Sequence, residues 1–216
     1  MKRLAPIACI AAIVGVAPAT AGAACGGVES ATAKENVAKG KPPLVIGDSV
    51  MILAVKPLAE IGFNVNARGC RMWAEGHELL AKRKRQGRLA KLVVMALGAN
   101  WVIRREDIGR TRRLLGPKRV LALVTPRESG GGSGSDAGNI RAATRAHPHR
   151  LKLLDWVRFS SGHAGWFSGD GLHLSWAGVA AYVRCLRRAL RFAGDPPRRG
   201  AVSAGARPRH PCASPS

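Results

Sequence analysis

The sequence predicts an α/β protein of three layers, in which helices cover both faces of a five-stranded parallel sheet. Two observations support this prediction. Short apolar runs alternate with segments of ten or more residues whose apolar side chains recur three and four positions apart. The first such run is bounded by Pro43 and Gly47, as a buried strand is. Strands that alternate with helices form right-handed βαβ units, which produce a parallel sheet.

The elements follow in a regular order along the chain. The apolar runs predict strands at residues 43–49, 63–67, 92–97, 119–125 and 151–156. The intervening segments predict helices at residues 51–61, 72–86, 105–115, 137–146 and 177–192. Residues 26–41 are polar and predict a lead-in with one helical turn, and residues 155–169 predict a long connection. The carboxyl ends of parallel strands meet at one edge, where ligands bind in such sheets.

The two ends of the chain differ in composition from the middle. Two basic residues, an apolar stretch at residues 4–16 and small residues at 19–23 are typical of a secretory signal peptide. We therefore expect residues 1–24 to be removed, with cleavage after Ala23 or nearby; acylation of Cys25 is the lipoprotein alternative. Residues 25–42 are the lead-in, 43–193 the domain, and 194–216 a basic, Pro-rich tail without periodicity, which predicts disorder. Export without a membrane span is the expectation.

Four cysteines remain once the signal is removed, and an exported protein meets an oxidising compartment. They are Cys25, Cys70, Cys185 and Cys212. Four cysteines allow three pairings; we favour a bridge from Cys70 to Cys25 or to Cys185, which would stiffen the loop after the second strand. No cysteine or histidine pair has metal-ligand spacing, so we expect no metal and no cofactor.

Part of the formal charge of +22 lies in basic runs at residues 82–91 and 104–119. A nucleic-acid-binding protein would pair such runs with a recognisable reader motif, which is missing here, so we expect no nucleic-acid partner. Two explanations stay open: compositional drift towards GC-rich codons, and attraction of an exported protein to anionic envelope polymers or lipid surfaces. The glycine-rich stretch at 128–138 lacks the P-loop ending and predicts a mobile loop that could serve as a lid.

Four short stretches carry the candidate chemistry. Ser49 lies at a strand-to-helix turn, where a serine is either an ordinary N-cap or a nucleophile. The other three stretches also follow predicted strands: Arg68-Gly69-Cys70-Arg71, Gly98-Ala99-Asn100 and Asp170-Gly171-Leu172-His173. Their agreement favours the nucleophile.

These four stretches together resemble the SGNH hydrolases, the GDSL esterase and lipase superfamily, over roughly residues 43–190. The wording around Ser49 and His173 is similar to the branch that contains the catalytic domains of peptidoglycan O-acetyltransferases. The resemblance implies a flavodoxin-like fold with strand order 2-1-3-4-5. It also implies that Ser49 is the nucleophile, His173 the general base and Asp170 the residue that orients it.

The same resemblance implies an oxyanion hole made by the Ser49 N–H, the N–H of Gly69 or Cys70, and the Asn100 side chain. The chain departs from the family pattern at Trp101, which follows Asn100 where a second polar residue is common. Whether Gly69 or Cys70 donates stays open.

Three aromatic residues near these stretches are candidates for substrate binding: Trp101, Trp166 and Phe167. Trp166 and Phe167 lie just ahead of Asp170 and would wall an acyl pocket. The alternative is that they pack beneath the long connection that carries them.

Three functions follow from these residues. The leading expectation is a secreted, monomeric serine esterase that cleaves short acyl esters through an acyl-Ser49 intermediate. The second is an O-acyltransferase or acetylesterase acting on cell-envelope glycans. The third is a non-catalytic envelope-binding module with a basic surface; the retention of all the candidate catalytic residues argues against it.

Overall fold

The computed structural model describes residues 25–35 and 40–194 and contains one six-stranded sheet. The strands are β1 (Val28–Ala31), β2 (Leu44–Gly47), β3 (Asn64–Arg68), β4 (Leu92–Ala96), β5 (Val120–Val124) and β6 (Leu151–Leu154). Their order across the sheet is β1-β3-β2-β4-β5-β6, and the last five are parallel. The predicted α/β class and the implied order of the five parallel strands are confirmed.

Six α-helices surround the described sheet. They are α1 (Val55–Glu60), α2 (Trp73–Arg85), α3 (Arg105–Leu115), α4 (Ser135–Ala146), α5 (Trp156–Phe159) and α6 (Trp176–Arg187). Three 3₁₀ helices lie at Ser49–Ala54, Ala164–Trp166 and Arg188–Ala193. The turn of interest, at Ser49, therefore sits where the central strand β2 passes into a short helix.

The hydrophobic core is divided in two by the sheet. Alternate residues of the central strands point to opposite faces, so Val45 packs with α1 and α6 while Ile46 packs with α2, α3 and α4. All four residues of β2 and all five of β4 are buried. A strand covered on both faces reads as a continuous apolar run, which is why the sequence revealed these strands.

The lead-in segment differs from its prediction. It forms β1, which pairs antiparallel with β3 in the register Val28 to Arg68, so the sheet has six strands rather than five. The residues of β1 are mostly exposed, and an edge strand held by backbone hydrogen bonds leaves no apolar alternation to detect. A disulfide between Cys25 and Cys70 ties the start of this strand to the end of β3.

Two helices and the long connection also differ from their predicted form. The helix expected at 51–61 is a 3₁₀ helix followed by α1, because Pro57 has no N–H to donate to Leu53 and is tolerated only in the first turn of an α-helix. The connection at 155–169 contains α5, which Asp155 caps by accepting the Arg158 N–H at 3.3 Å. The final helix changes from α to 3₁₀ geometry at Arg188.

The predicted signal peptide and basic tail lie outside the described residues. Within residues 25–35 and 40–194, no helix combines the length and the apolar character needed to span a bilayer.

Candidate active site

The Ser49 turn is organised by Asp48, whose side chain is buried. One carboxylate oxygen accepts the Val50 N–H at 3.1 Å, and the other accepts the N–H groups of Gly98 and Ala99 at 3.2 and 3.1 Å. Burial is the main influence on Asp48 and raises its pKa to about 6. Asp48 thus caps the helix and joins the first candidate stretch to the third.

Arg71, in the stretch Arg68-Gly69-Cys70-Arg71, connects that stretch to the Ser49 turn through the Gly47 carbonyl. Its guanidinium is buried and donates to the carbonyl oxygens of Gly47 at 3.0 Å and Asn66 at 2.8 Å. It also donates to the Asn66 side-chain oxygen at 2.7 Å. A buried cation requires such partners. These hydrogen bonds link the end of β2, just before Ser49, to β3.

The structure brings Ser49, His173 and Asp170 together across 124 residues of sequence. The Ser49 Oγ lies 3.0 Å from His173 Nε2, and His173 Nδ1 lies 2.5 Å from Asp170 Oδ2. The other oxygen of Asp170 accepts the N–H groups of Leu172 and His173 at 2.9 and 3.0 Å. The hydrogen bond from His173 is the largest cause that holds the pKa of Asp170 below its usual range.

This geometry assigns one role to each ring nitrogen. A carboxylate can only accept, so His173 Nδ1 donates to Asp170 and Nε2 is left to accept the hydroxyl proton of Ser49. The arrangement can therefore remove a proton from Ser49, which is what a serine nucleophile requires.

The loop that carries Asp170 and His173 is held by the glycine-rich loop after β5. The Gly130 N–H donates to the Asp170 carbonyl at 2.7 Å, and Arg127 Nε donates to the Gly171 carbonyl at 3.1 Å. Arg127 also lies over the Phe167 ring, 4.1 Å from its centroid. The glycine-rich loop therefore supports the loop that carries His173, and its mobility stays a prediction. Arg127 is a contributor that sequence reasoning missed because nothing local marks its partner.

The residues implied for the oxyanion hole follow the carboxyl ends of β2, β3 and β4. The Asn100 side-chain nitrogen lies 3.5 Å from the Arg71 carbonyl oxygen, a long contact. The backbone N–H groups of Ser49, Gly69 and Cys70 donate to no other residue in the described part of the chain. The role of these donors in an oxyanion hole stays a prediction.

The disulfide explains the local backbone at Gly69 and Cys70. Cys70 pairs with Cys25, one of the two partners expected, and Cys185 takes part in a separate disulfide. A Cβ at Gly69 would lie 2.2 Å from the Cys25 carbonyl oxygen, so only glycine fits there. Cys70 has φ 54°, a left-handed conformation that a non-glycine residue seldom adopts without support.

A cavity of about 20 Å³, with room for about one water molecule, lies next to the Ser49 turn. Its lining includes Asp48, Val50, Ala99, Pro126 and Leu172, and it is largely apolar. Residues that flank Ser49 and His173 in sequence therefore form its wall.

The aromatic candidates Trp166 and Phe167 pack against a third aromatic ring. Trp166 stacks on Trp156 with ring centroids 6.0 Å apart, and Phe167 meets Trp156 edge-on at 5.9 Å. Trp156 also lines the cavity next to the Ser49 turn. The structure thus places Trp166 and Phe167 in a packed cluster under the loop, whereas Trp101 is 68% exposed beyond Asn100.

Two other histidines are engaged elsewhere. His77 Nδ1 lies 3.1 Å from the Thr111 hydroxyl, between α2 and α3. The His163 ring packs against Trp166 with centroids 3.8 Å apart. Neither makes a hydrogen bond to Ser49, so His173 alone among these three is placed to accept its proton.

The chain is similar in sequence to known O-acetyltransferases. No protein-family model matches the chain. The O-acetyltransferase OatA of Staphylococcus aureus is 28% identical over 162 residues, which cover 71% of this chain and 25% of that protein. The chain therefore spans about a quarter of the length of the curated relatives it matches.

Solved structures extend the likeness to the fold. The C-terminal catalytic domain of peptidoglycan O-acetyltransferase A from Streptococcus pneumoniae superposes with a TM-score of 0.60 at 23% identity, over 70% of this chain and 93% of that one. A lipase/acylhydrolase from Enterococcus faecalis superposes with a TM-score of 0.54 at 18% identity, over 74% and 100%. The chain therefore has the fold of these solved proteins, and its sequence is similar to that of the O-acetyltransferase OatA.

Proposed function

We propose that this protein is an extracytoplasmic serine acyl-transfer enzyme that acts on O-acyl groups of cell-envelope glycans, as an O-acyltransferase or acetylesterase. The observation that carries the proposal is the chain of contacts from Ser49 Oγ to His173 Nε2 at 3.0 Å and from His173 Nδ1 to Asp170 Oδ2 at 2.5 Å. A serine that only caps a helix has no need of a base oriented by a carboxylate.

The first half-reaction transfers the acyl group to the enzyme. Ser49 Oγ attacks the ester carbonyl carbon while its proton passes to His173 Nε2. The carbonyl oxygen becomes an oxyanion, which the free N–H groups beside Ser49 and the Asn100 amide would stabilise. The C–O bond to the alcohol then breaks, and the alkoxide leaves with the proton from His173. Asp170 stabilises the imidazolium that exists between these two transfers.

The second half-reaction returns Ser49 to its starting state. An acceptor hydroxyl gives its proton to His173 and attacks the acyl-Ser49 carbonyl, and Ser49 leaves with that proton. Water as acceptor yields a free acid, whereas a sugar hydroxyl yields a new ester. The same residues serve both outcomes, so the choice depends on which hydroxyl is positioned first.

Two observations favour an envelope glycan as the substrate. The similar proteins include the O-acetyltransferase OatA, whose pneumococcal form is described as acting on peptidoglycan. Disulfides at Cys70 and Cys185 suit an oxidising compartment outside the cytoplasm, in agreement with the predicted signal peptide. The second function named from the sequence is therefore preferred here to the first.

A secreted esterase for short acyl esters is the second candidate. It is favoured by the superposition on a lipase/acylhydrolase, which covers the whole of that chain. In that case water is the natural acceptor, and no sugar subsite is needed.

A fluorophosphonate probe tests the carrying observation. Because a base-activated serine attacks phosphorus, we expect intact-mass spectrometry to detect one adduct, mapped to Ser49, in the wild type and in Ser161→Ala but not in Ser49→Ala. A folded wild-type protein without an adduct would contradict the proposal and favour the non-catalytic binding module.

A partition assay separates the two candidates. The enzyme is given p-nitrophenyl acetate with and without a chitooligosaccharide, and both free acetate and acetylated sugar are quantified. Acetylated sugar as the major product supports a transferase. Loss of acetyl from a pre-acetylated glycan supports an acetylesterase, and turnover of p-nitrophenyl acetate with no action on either glycan would leave the simple esterase.

A further inference from the structure

A second cavity lies between α3 and α4, away from the Ser49 turn. It has a volume of about 150 Å³, and its walls are one face of each helix. Small residues, Gly109 on α3 and Ala142, Ala143 and Ala146 on α4, leave the space open, and Leu151 forms part of its floor. A Cβ at Gly109 would meet no atom closer than 3.4 Å, so the cavity is not filled from that side. We call this cavity the α3–α4 groove.

Basic side chains line the α3–α4 groove. Arg105 and Arg112 face it from α3, and His147, at the end of α4, faces it from the other side. Burial, together with repulsion by the nearby charge of Arg112, lowers the pKa of Arg150. Within the described ranges, no carboxylate forms an ion pair or a hydrogen bond with any of these four side chains.

Two acids of the neighbourhood are engaged elsewhere. Asp107, on another face of α3, pairs with Arg110, and Asp155 pairs with Arg141 at 2.8 Å. Among the described residues, the buried Arg112 Nε has no hydrogen-bond partner. A buried guanidinium N–H without an acceptor costs free energy, so this group, in a groove lined by other basic side chains, favours an acceptor that comes from outside the chain.

The spacing of the cations indicates the shape of that acceptor. Arg105 and Arg112 are seven residues apart on one helix face, so their backbones are separated by about 10 Å along the axis. A single small oxyanion would satisfy one of them, whereas an extended chain with repeated negative groups would satisfy both. Arg forks suit phosphate and carboxylate oxygens alike.

We propose that the α3–α4 groove binds an anionic polymer of the cell envelope through its phosphate or carboxylate groups. Arg105 and Arg112 hold successive anionic groups, and the small residues admit the polymer backbone. The choice of an envelope polymer rests on the proposed extracytoplasmic function. Arg105 begins α3 only five residues after Asn100, so one end of the groove lies at the sheet edge that carries Ser49. A polymer held there would keep the enzyme on the material that bears its substrate.

Calorimetric titration of the protein with polyphosphate and with polyglutamate tests the groove directly. We expect the paired variant Arg105→Gln/Arg112→Gln to weaken binding of at least one polymer about tenfold or more, and to lower the slope of log K against log salt by about 2. The matched control, Arg85→Gln/Arg88→Gln, removes the same charge from exposed positions outside the groove. We expect its affinity to change about twofold or less, since distant charges contribute only through the screened overall field.

A second variant separates shape from charge. Ala146→Phe fills the groove without changing the charge, and we expect a loss of affinity comparable to that of the arginine pair. In the wild type, the ring-proton resonance of His147 is expected to shift on addition of the bound polymer, while that of His77 stays in place. Polyphosphate and polyglutamate distinguish phosphate from carboxylate as the recognised group.

Three outcomes would overturn the inference. Equal losses in the two arginine pairs would mean diffuse attraction to the basic surface, and unchanged affinity in Ala146→Phe would mean that the cavity itself is not occupied. Groove-dependent binding of a DNA oligonucleotide far tighter than that of either polymer would identify nucleic acid as the ligand. Thermal unfolding establishes that each variant folds, and fluorophosphonate labelling of Ser49 tests the proposed function separately.

Discussion

At the residue scale, the question raised by Asp48-Ser49 was whether the serine caps a helix or performs chemistry. The structure divides the two tasks between neighbours. Asp48 accepts the Val50 N–H and so takes the capping role, and the Ser49 hydroxyl is left to contact His173. Asp48 also accepts two N–H groups from the Gly98-Ala99 turn. The residue that caps the helix therefore also fixes the turn that precedes Asn100.

The His173 and Asp170 side chains should differ in importance. His173→Ala removes the base that transfers the proton, so we expect hydrolysis of p-nitrophenyl acetate to fall about a thousandfold or more. Asp170→Asn removes only the group that orients and stabilises the base, and a smaller loss is expected. Steady-state kinetics on both variants, with His163→Ala as the control that stays near wild type, checks this order. A larger loss in His163→Ala would reassign the base.

The raised pKa of Asp48 predicts a specific pH dependence of stability. Its ordinary value is 3.8 and its value in the fold is about 6, so between these pH values the unfolded chain loses the proton first. The contribution of Asp48 to the free energy of unfolding therefore falls as pH rises from about 4 to 6, by up to about 3 kcal/mol. Urea unfolding at pH 4 and pH 7 should show this fall in the wild type relative to Asp48→Asn. Parallel pH profiles would contradict it.

At the element scale, the decisive contact is between two loops that each follow a strand. The glycine-rich loop after β5 donates its Gly130 N–H to the Asp170 carbonyl, and Arg127 reaches the Gly171 carbonyl beside it. Gly171 has φ 68°, and a Cβ there would lie 2.9 Å from the Gly131 nitrogen. The loop that carries His173 is therefore positioned by close backbone contact, which only small residues permit.

Gly171→Ala should impair activity through this contact. The added Cβ strains the left-handed backbone and pushes the two loops apart, so we expect a loss of about 1 to 2 kcal/mol in stability. The displacement of His173 should reduce turnover of p-nitrophenyl acetate by about tenfold or more. Gly169→Ala is the matched control, because a Cβ there meets no atom within 4 Å. Equal effects of the two variants would refute the role of the loop contact.

At the scale of the whole molecule, the amino-terminal segment is part of the domain. It adds β1 to the edge of the sheet, and the Cys25–Cys70 disulfide closes a separation of 45 residues next to the candidate oxyanion donors. Ser49 and Asn100 lie beyond the carboxyl ends of the central strands β2 and β4, where His173 meets Ser49. The fold thus assembles its candidate site from segments that are far apart in sequence and close only at the carboxyl ends of the strands.

Loss of the Cys25–Cys70 disulfide should affect both stability and the site. Cys25→Ser/Cys70→Ser releases the constraint on the unfolded chain, and we expect the free energy of unfolding to fall by about 2 to 4 kcal/mol. Because Cys70 adjoins the oxyanion donors, kcat is expected to fall more than KM rises. Urea unfolding and steady-state kinetics measure the two effects. Wild-type kcat in the folded variant would show that the bridge does not position the donors.

Mapping of the mature protein tests the predicted export. In an exporting host, we expect mass spectrometry to find an amino terminus close to Ala24 or Cys25, because small residues precede that position as at a signal-peptidase site. Non-reducing peptide mapping of the same sample should recover Cys25 linked to Cys70. An intact Met1 with Cys70 as a free thiol would contradict the extracytoplasmic assignment.

The limits of sequence reasoning differ between parts of the fold. Strands β2 to β6 were predicted within about two residues, because buried parallel strands are continuous apolar runs. Helix α3 was predicted with the bounds it has, since its apolar residues recur with helical spacing. The edge strand β1 was missed because backbone pairing alone holds it. The aromatic residues Trp166 and Phe167 were assigned to a pocket wall because sequence does not tell which way a loop side chain packs.

By itself, the sequence determined the fold class, the order of the elements and the four stretches that hold the candidate catalytic residues. These depend on local periodicity and on the rule that parallel strands end at one edge. Only the tertiary structure decided the partner of Cys70, the link from Asp48 to the Gly98-Ala99 turn, the support that Arg127 gives to Gly171, and the cations of the α3–α4 groove. Each of these joins segments distant in sequence, and their meeting depends on how the layers pack rather than on any local pattern.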